Sequence, residues 1–220
     1  VGLSKKKEHL NIKDYKMFSP SKKIRSDVPL IVVSGSCMNV GKTSVACEII
    51  KSATRDGFKI CGAKVAGVAA LRDSLRMEDY GAIKAVSMID AGYASTANHK
   101  SQTIGITKGA INYLSKEEPD YIILELGDGI FGEYGVMQIL EDKELQQHMS
   151  AHISCASDPM SAAKIKEICE EIGTPLHVIS GPVTDNSVGV SFIKKELKIY
   201  ALNGLYEGGK LFSYLKKSIM

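Results

Sequence analysis

A turn of mostly small residues is the part of the sequence best suited to chemistry. It spans residues 35–43 and reads Gly-Ser-Cys-Met-Asn-Val-Gly-Lys-Thr, after an unbroken apolar run and before a segment with helical spacing. Because consecutive backbone N–H groups and a helix N-terminus attract anions, this context predicts a phosphate-binding loop. The usual pattern is G-x-x-x-x-G-K-[ST], and here the first glycine lies one residue earlier, with Ser36 at the expected place.

Each type of residue in this loop has a predicted role. Gly41 lets the backbone approach the phosphates, Lys42 would reach the β- and γ-phosphates, and the Thr43 hydroxyl would ligate Mg²⁺. The alternative is a glycine-rich turn whose Lys and Thr only cap a helix, and the preceding buried strand disfavours it. The predicted nucleotide-binding residues are Gly35, Ser36, Cys37, Met38, Asn39, Val40, Gly41, Lys42, Thr43 and Ser44.

Three further charged residues are predicted to lie near this loop. Glu125 ends the apolar run 121–124, and ligands of α/β sheets bind at the carboxyl ends of the strands. We therefore expect Thr43 and Glu125 to bind the metal together. Asp79, from a charged segment interpreted as a loop, is a candidate second carboxylate, and a solvated surface charge is the favoured alternative for it. Lys64, at the end of a second predicted strand, would assist Lys42 in catalysis by holding an anionic group. A plain surface lysine remains an equal alternative for Lys64.

The order of predicted elements positions these residues. Strands alternate with helices, which predicts an α/β fold: a doubly wound, mainly parallel sheet with helices on both faces. The predicted strands are 30–33, 59–63, 121–126, 151–155, 176–180 and 198–202, and the predicted helices are 42–56, 81–89, 103–114, 134–142, 159–172, 187–197 and 205–219.

The composition fits one ordinary globular domain. The chain has 220 residues, of which 44% are hydrophobic and 24% charged. Residues 1–27 hold eight Lys or Arg against three acidic residues, and the remaining chain holds 20 against 22. We therefore divide the chain into a basic leader or linker at 1–28 and a P-loop α/β domain at 29–220. A solvated arm, or a linker from an upstream domain, is favoured over a nucleic-acid contact for the leader.

The composition also indicates a location and excludes some partners. No apolar run is long enough for a membrane helix, and the five cysteines are odd in number and have apolar neighbours. We expect reduced core thiols, a cytoplasmic protein, and neither membrane nor nucleic-acid binding.

Together, the motifs resemble the dethiobiotin synthetase branch of P-loop proteins and its cobyrinic acid diamide synthase relatives. That branch has a G-T-x-T-x-V-G-K-T loop, matched by the long spacing and Val-Gly-Lys-Thr ending here. Its second strand ends in a lysine, as at Lys64, and its central strand ends in E-G-x-G-G, as at Glu125 to Gly129, although Leu126 replaces the first glycine. A second resemblance is to the P-loop family that includes D-glutamate N-acetyltransferases, and it implies a loop that holds the phosphates of coenzyme A.

The first resemblance implies an ATP- and Mg²⁺-dependent enzyme of ligase or kinase type, with the metal held by Thr43, Asp79 and Glu125. Such an enzyme would activate a small-molecule substrate by phosphoryl transfer, and related enzymes form homodimers. Two alternatives stay open. One is an N-acyltransferase that uses the loop for coenzyme A, and the other is a regulatory P-loop NTPase. For the second, no guanine-reading N-K-x-D segment is found in the sequence.

Overall fold

A computed structural model describes residues 2–4, 6 and 9–219. Seven parallel strands form the central sheet, in the order β5-β4-β6-β3-β7-β8-β9. Two short N-terminal strands, β1 (Gly2–Leu3) and β2 (His9–Leu10), pair with each other in antiparallel fashion. The strands of the central sheet are β3 (Leu30–Gly35), β4 (Ile60–Ala66), β5 (Lys84–Ser87), β6 (Tyr121–Leu126), β7 (Met149–Cys155), β8 (Val178–Ser180) and β9 (Tyr200–Ala201).

Helices cover both faces of this sheet because its strands are apolar on both sides. In β3, Leu30 and Val32 pack into one core, and Ile31 and Val33 pack into the other. The first core also holds α3, α4 and α6, and the second holds α1, α2 and α8. The helices are α1 (Lys42–Arg55), α2 (Leu71–Asp79), α3 (Lys100–Leu114), α4 (Val136–Glu141), α5 (Lys143–His148), α6 (Pro159–Ile172), α7 (Ser187–Phe192) and α8 (Gly208–Ile219).

The predicted fold class is confirmed, and most predicted elements lie where the structure has them. Two predictions were wrong. Residues 81–89 were predicted as a helix, but they contain strand β5 and the start of a 3-10 turn, Met88–Ala91. Residues 71–79 were interpreted as a loop, but they form α2.

The N-terminal segment packs against the domain from Lys13 onward. Met17 donates its amide to the Asp90 carbonyl (2.7 Å), and the buried ring of Phe18 stacks on Tyr113. A Cβ on Gly109 of α3 would lie 2.4 Å from the Ser19 carbonyl oxygen, so the segment lies directly on that helix. The division of the chain at residue 28 stays a prediction.

No helix in the described part of the chain has the length and apolar character needed to cross a membrane.

Candidate functional site

Close backbone packing fixes the conformation of the loop between β3 and α1. A Cβ on Gly35 would lie 2.7 Å from a Val40 methyl group and 2.9 Å from the Cys155 carbonyl oxygen, so only glycine fits there. Ser36 donates its amide to that same carbonyl (2.8 Å). Asn39 and Gly41 have positive φ values of 58° and 96°, which turn the chain into the helix.

Two amides of this loop are available to a ligand. Those of Met38 and Asn39 have no hydrogen-bond partner among the residues that the structure describes. Because unpaired N–H groups at a helix N-terminus attract anions, the loop can hold phosphate, as the sequence predicts.

Lys42 lies inside the loop and not on the surface. It is buried, and its Nζ donates to the Cys37 carbonyl oxygen (2.7 Å). Burial lowers the pKa of Lys42, and the carboxylate of Glu125 acts in the opposite direction. A buried ammonium with one carbonyl partner keeps donors for an anion.

Thr43 and Glu125 form the clearest candidate metal site. Strand β6 pairs with β3, so that Glu125 lies beside Val33 at the carboxyl end of the sheet. The Thr43 hydroxyl donates to Oε1 of Glu125 (2.6 Å). Oε2 is buried and has no partner in the described part of the chain.

This unpartnered oxygen fits a cation. Burial raises the pKa of Glu125, while Lys64 and the hydrogen bond from Thr43 act to lower it. A buried carboxylate oxygen without a hydrogen bond is costly in a folded chain. Mg²⁺ binds through one or two carboxylates and hydroxyl or phosphate oxygens, so Thr43 and Glu125 suit it.

Lys64 is paired with a carboxylate that the sequence analysis did not single out. In the sheet it lies beside Glu125, and its Nζ forms a salt bridge with Asp73 of α2. Both side chains are nearly buried, at 13% and 11% exposure, so the pair is shielded from water. This pairing disfavours the interpretation of Lys64 as a plain surface residue.

Asp79 does not lie at the site, which corrects the position given to it. It is exposed at the C-terminal end of α2 and does not line the cavity described below, whereas Asp73 does. The wrong residue was chosen because residues 71–79 were interpreted as a loop. Asp73 and Arg76, three residues apart, share one helical face, and that spacing was the available signal.

A cavity of about 670 Å³ joins these groups. The phosphate loop, with Lys42 and Thr43, forms one wall, and α2 with Arg72, Asp73 and Arg76 forms the opposite wall. We call these the loop wall and the helix wall. Lys64 and Glu125 lie on the sheet between them, and the volume is typical of a small-molecule site.

The turn after β6 packs closely against the phosphate loop and the end of β4. A Cβ on Gly129 would lie 2.2 Å from the Ser36 carbonyl oxygen, and one on Gly127 would lie 2.3 Å from the Ala66 carbonyl oxygen. Between them, Asp128 has a φ of 69° and lines the cavity. The two glycines therefore allow β6 to contact the phosphate loop and the end of β4 at once.

The cysteines are free thiols. Cys47, Cys61, Cys155 and Cys169 are buried, and Cys37 is exposed in the phosphate loop. Burial raises the pKa of Cys155, behind the loop, to about 12. A thiol with that pKa stays protonated at neutral pH and takes no part in nucleophilic chemistry.

Three solved structures are similar to this chain in fold, and two of them are complexes with a nucleotide. The cell division protein FtsY from Thermotoga maritima has a TM-score of 0.55 and 13% identity, over 95% of this chain and 74% of its own. A nucleotide-binding protein from Archaeoglobus fulgidus, in complex with ADP, has a TM-score of 0.55 and 14% identity over 87% of each chain. Signal recognition particle 54 kDa protein from Aeropyrum pernix, in complex with GDP, has a TM-score of 0.52 and 13% identity, over 87% of this chain and 48% of its own.

No protein-family model matches the sequence, and neither does any curated protein. At such low identity the structural likeness establishes the fold and nothing finer. The chain has the α/β fold of the P-loop NTPases, with a seven-stranded parallel sheet and a phosphate loop after the central strand β3. None of the three structures is a dethiobiotin synthetase, so they lend no support to that branch.

Proposed function

We propose that this protein is a magnesium-dependent, ATP-binding enzyme that activates a small-molecule substrate by phosphoryl transfer. One observation carries the proposal: the buried Glu125 carboxylate accepts a hydrogen bond from Thr43 of the phosphate loop and keeps its second oxygen free. Lys42, from the same loop, supplies the ammonium. An anion cradle and a cation site in contact suit a metal-bound polyphosphate.

Different residues would bind the phosphates, bind the metal and position the acceptor in such a reaction. The amides of the loop and Lys42 would hold the phosphates, and Thr43 and Glu125 would hold Mg²⁺, which supplies positive charge to the phosphate oxygens when bound. Lys64, oriented by Asp73, would place an acceptor opposite the terminal phosphate. Catalysis of this type depends on positioning and charge, and it needs no nucleophilic side chain.

A regulatory NTPase is the second candidate, and the likeness to FtsY and to the 54 kDa signal recognition particle protein favours it. Such a protein would hydrolyse its nucleotide without a small-molecule acceptor. We rank it second because the cavity extends past the phosphate loop to a buried lysine–aspartate pair on the sheet and helix wall. Use of the loop for coenzyme A remains the third candidate.

Calorimetry on four proteins tests the proposal. Mg·ATP is titrated into the wild type, Lys42→Ala, Glu125→Gln and the control Lys164→Ala, whose lysine lies on the solvent-exposed face of α6. We expect Lys42→Ala to weaken binding about 100-fold, which is about 2.7 kcal/mol, because it removes the buried ammonium that faces the phosphates. Glu125→Gln should reduce the gain in affinity from Mg²⁺, and Lys164→Ala should change nothing.

Parallel titrations with Mg·GTP and acetyl-coenzyme A separate the candidates. Unchanged Mg·ATP affinity in Lys42→Ala would reject the proposed site. Tight binding of Mg·GTP with weak binding of Mg·ATP would favour the regulatory NTPase, and binding of acetyl-coenzyme A alone would favour the acyltransferase.

A further inference from the structure

We propose that the helix wall binds an anionic group, a carboxylate or a phosphate, on the second substrate. The proposal rests on the proposed function, because it concerns the part of the same cavity that lies beyond the phosphate loop. The residues that carry it are Arg72 and Arg76 of α2.

Arg76 is a cation in the cavity without an acidic partner. Its guanidinium lies over the Tyr80 ring, 5.5 Å from the centroid, and its Nη2 lies 3.5 Å from the Ser44 hydroxyl. No carboxylate lies within 4.0 Å of Arg76 in the described part of the chain. The ring and the hydroxyl therefore hold the guanidinium in place and leave donors of its planar fork unused.

Arg72 lies one helical turn before Arg76 and also lines the cavity. Its side chain is 90% exposed, and its Nε lies 3.8 Å from Oδ1 of Asp73, which is too far for a hydrogen bond. Asp73 is already occupied by Lys64. An exposed contact of this kind contributes little, so Arg72 is free to bind a ligand.

The charges of the lining residues indicate the sign of the ligand. Four cations, Lys42, Lys64, Arg72 and Arg76, line the cavity against three anions, Asp73, Glu125 and Asp128. In the proposed complex Lys42 faces the phosphates, Glu125 faces the metal, and Lys64 is neutralised by Asp73. The third anion, Asp128, lies on the turn after β6 and not on the helix wall. Arg72 and Arg76 are then the positive charges of the helix wall that no other group in the proposed complex neutralises.

The position of Arg76 places its guanidinium beside the phosphates of the nucleotide in the proposed complex. Ser44, its hydroxyl partner, directly follows Thr43 in the chain. An anionic group held by the two arginines would therefore lie next to the phosphates. Guanidinium groups bind carboxylate and phosphate oxygens in pairs, so they would also fix the orientation of the second substrate.

The test uses the full chain loaded with saturating Mg·AMPPNP, so that the phosphate loop is occupied. Glutarate, inorganic phosphate and, as a cationic control, 1,5-diaminopentane are titrated at constant ionic strength. Dissociation constants follow from the rise in melting temperature. The variants are Arg72→Gln/Arg76→Gln and the control Arg55→Gln, whose arginine lies exposed at the end of α1, away from the cavity.

We expect glutarate or phosphate to bind the loaded wild type and Arg55→Gln, and to bind the double variant at least tenfold more weakly. The one of the two that binds identifies the anion as carboxylate or phosphate. Mg·AMPPNP itself should bind the double variant within about twofold of the wild type.

Three results would overturn the inference. They are no binding of either anion to the loaded wild type, equal binding to the double variant, or loss of Mg·AMPPNP binding in the double variant, which would assign the arginines to the nucleotide. In each case Mg·AMPPNP still binds the wild type, so the proposed function stands. Failure of Mg·AMPPNP to bind the wild type would reject the proposed function as well.

Discussion

The two walls of the cavity are built in different ways. The loop wall is defined by backbone: Gly35, Gly41 and Gly129 allow contacts or φ values that side chains would prevent. The helix wall is defined by side chains, since Asp73 and Arg76 enter the cavity from an ordinary helix. The shape of the loop wall is therefore fixed, whereas the charge of the helix wall can be changed by substitution of its side chains.

This difference suggests a division of function. A backbone cradle accepts the phosphates that all nucleotides share, and it leaves little room for variation. A helix with polar residues on its inner face can be adapted to a particular substrate without disturbing the cradle. We therefore expect substitutions in the loop wall to affect folding and nucleotide binding together, and most substitutions in the helix wall to affect the second substrate alone.

The largest expected loss of stability comes from a substitution in the helix wall, which makes it an exception to the division of function described above. Asp73→Leu would leave Lys64 without its partner in a nearly buried position. We expect a loss of about 3 kcal/mol in the free energy of unfolding, measured in urea, because an unpaired buried charge costs more than the pair contributes. The estimate is at the lower end of the range because Glu125 also faces Lys64.

A double variant provides the control. Lys64→Met/Asp73→Leu replaces both charges with apolar groups of similar size, and its stability should return to within about 1 kcal/mol of the wild type. If the single and double variants have equally low unfolding free energies, the unpaired charge of Lys64 does not explain the loss of stability in Asp73→Leu.

The second effect concerns the contact between β6 and the phosphate loop. Gly129→Ala would place a Cβ 2.2 Å from the Ser36 carbonyl oxygen, so the loop has to move. We expect a loss of about 1–3 kcal/mol in unfolding free energy and weaker Mg·ATP binding. The control is Gly209→Ala in α8, where a Cβ would meet no atom within 4 Å. Equal stability of the two variants would show that the close contact is not needed.

The sequence predicted the loop wall well because its constraints are local. A short apolar strand, a turn and Gly-Lys-Thr at the start of a helix are all contiguous in the chain. Glu125 could also be placed because it ends the unbroken apolar strand β6. Such patterns depend on neighbouring residues alone, and no tertiary contact has to be known.

The helix wall was missed because its inner face is polar. In α2 the buried residues are Asp73, Ser74 and Met77, so the apolar spacing that reveals a helix is lacking. Asp73 is buried only because Lys64, on the strand before the helix, neutralises it. Strand β5 was missed for a related reason: its four residues, Lys-Ala-Val-Ser, have little strand propensity and are held by pairing with β4.

The third expected effect is a loss of stability at low pH caused by His152, which contacts the strand that precedes the phosphate loop. His152 is fully buried, and its ring contacts Ser34 Oγ through Nε2 (2.7 Å) and the Pro175 carbonyl through Nδ1 (2.7 Å). Burial lowers the pKa of His152 to about 4, so the folded chain keeps the imidazole neutral where the unfolded chain binds a proton. Its contribution to stability is complete above about pH 6.5 and is lost as the pH falls toward 4.

The expected loss approaches but does not exceed about 1.4 kcal/mol for each pH unit between those two values, so a step of one pH unit costs less than the substitutions above. Urea unfolding of the wild type and His152→Gln at several pH values isolates it, because other acidic and basic groups contribute equally to both proteins. The stability difference between them should shrink as the pH falls from 6.5 to 4. A constant difference would mean that His152 does not titrate in this range.

The smallest expected effect separates Asp79 from Asp73. Asp79 is exposed at the end of α2 and outside the cavity lining, so Asp79→Asn should change unfolding free energy by less than about 0.5 kcal/mol. The dependence of ATP affinity on Mg²⁺ should also stay at the wild-type value, while Glu125→Gln reduces it. If Asp79→Asn weakens Mg²⁺-dependent binding as much as Glu125→Gln does, α2 must rearrange when the nucleotide binds. The helix wall would then be the mobile part of the site, and the positions of Arg72 and Arg76 would describe only the nucleotide-free state.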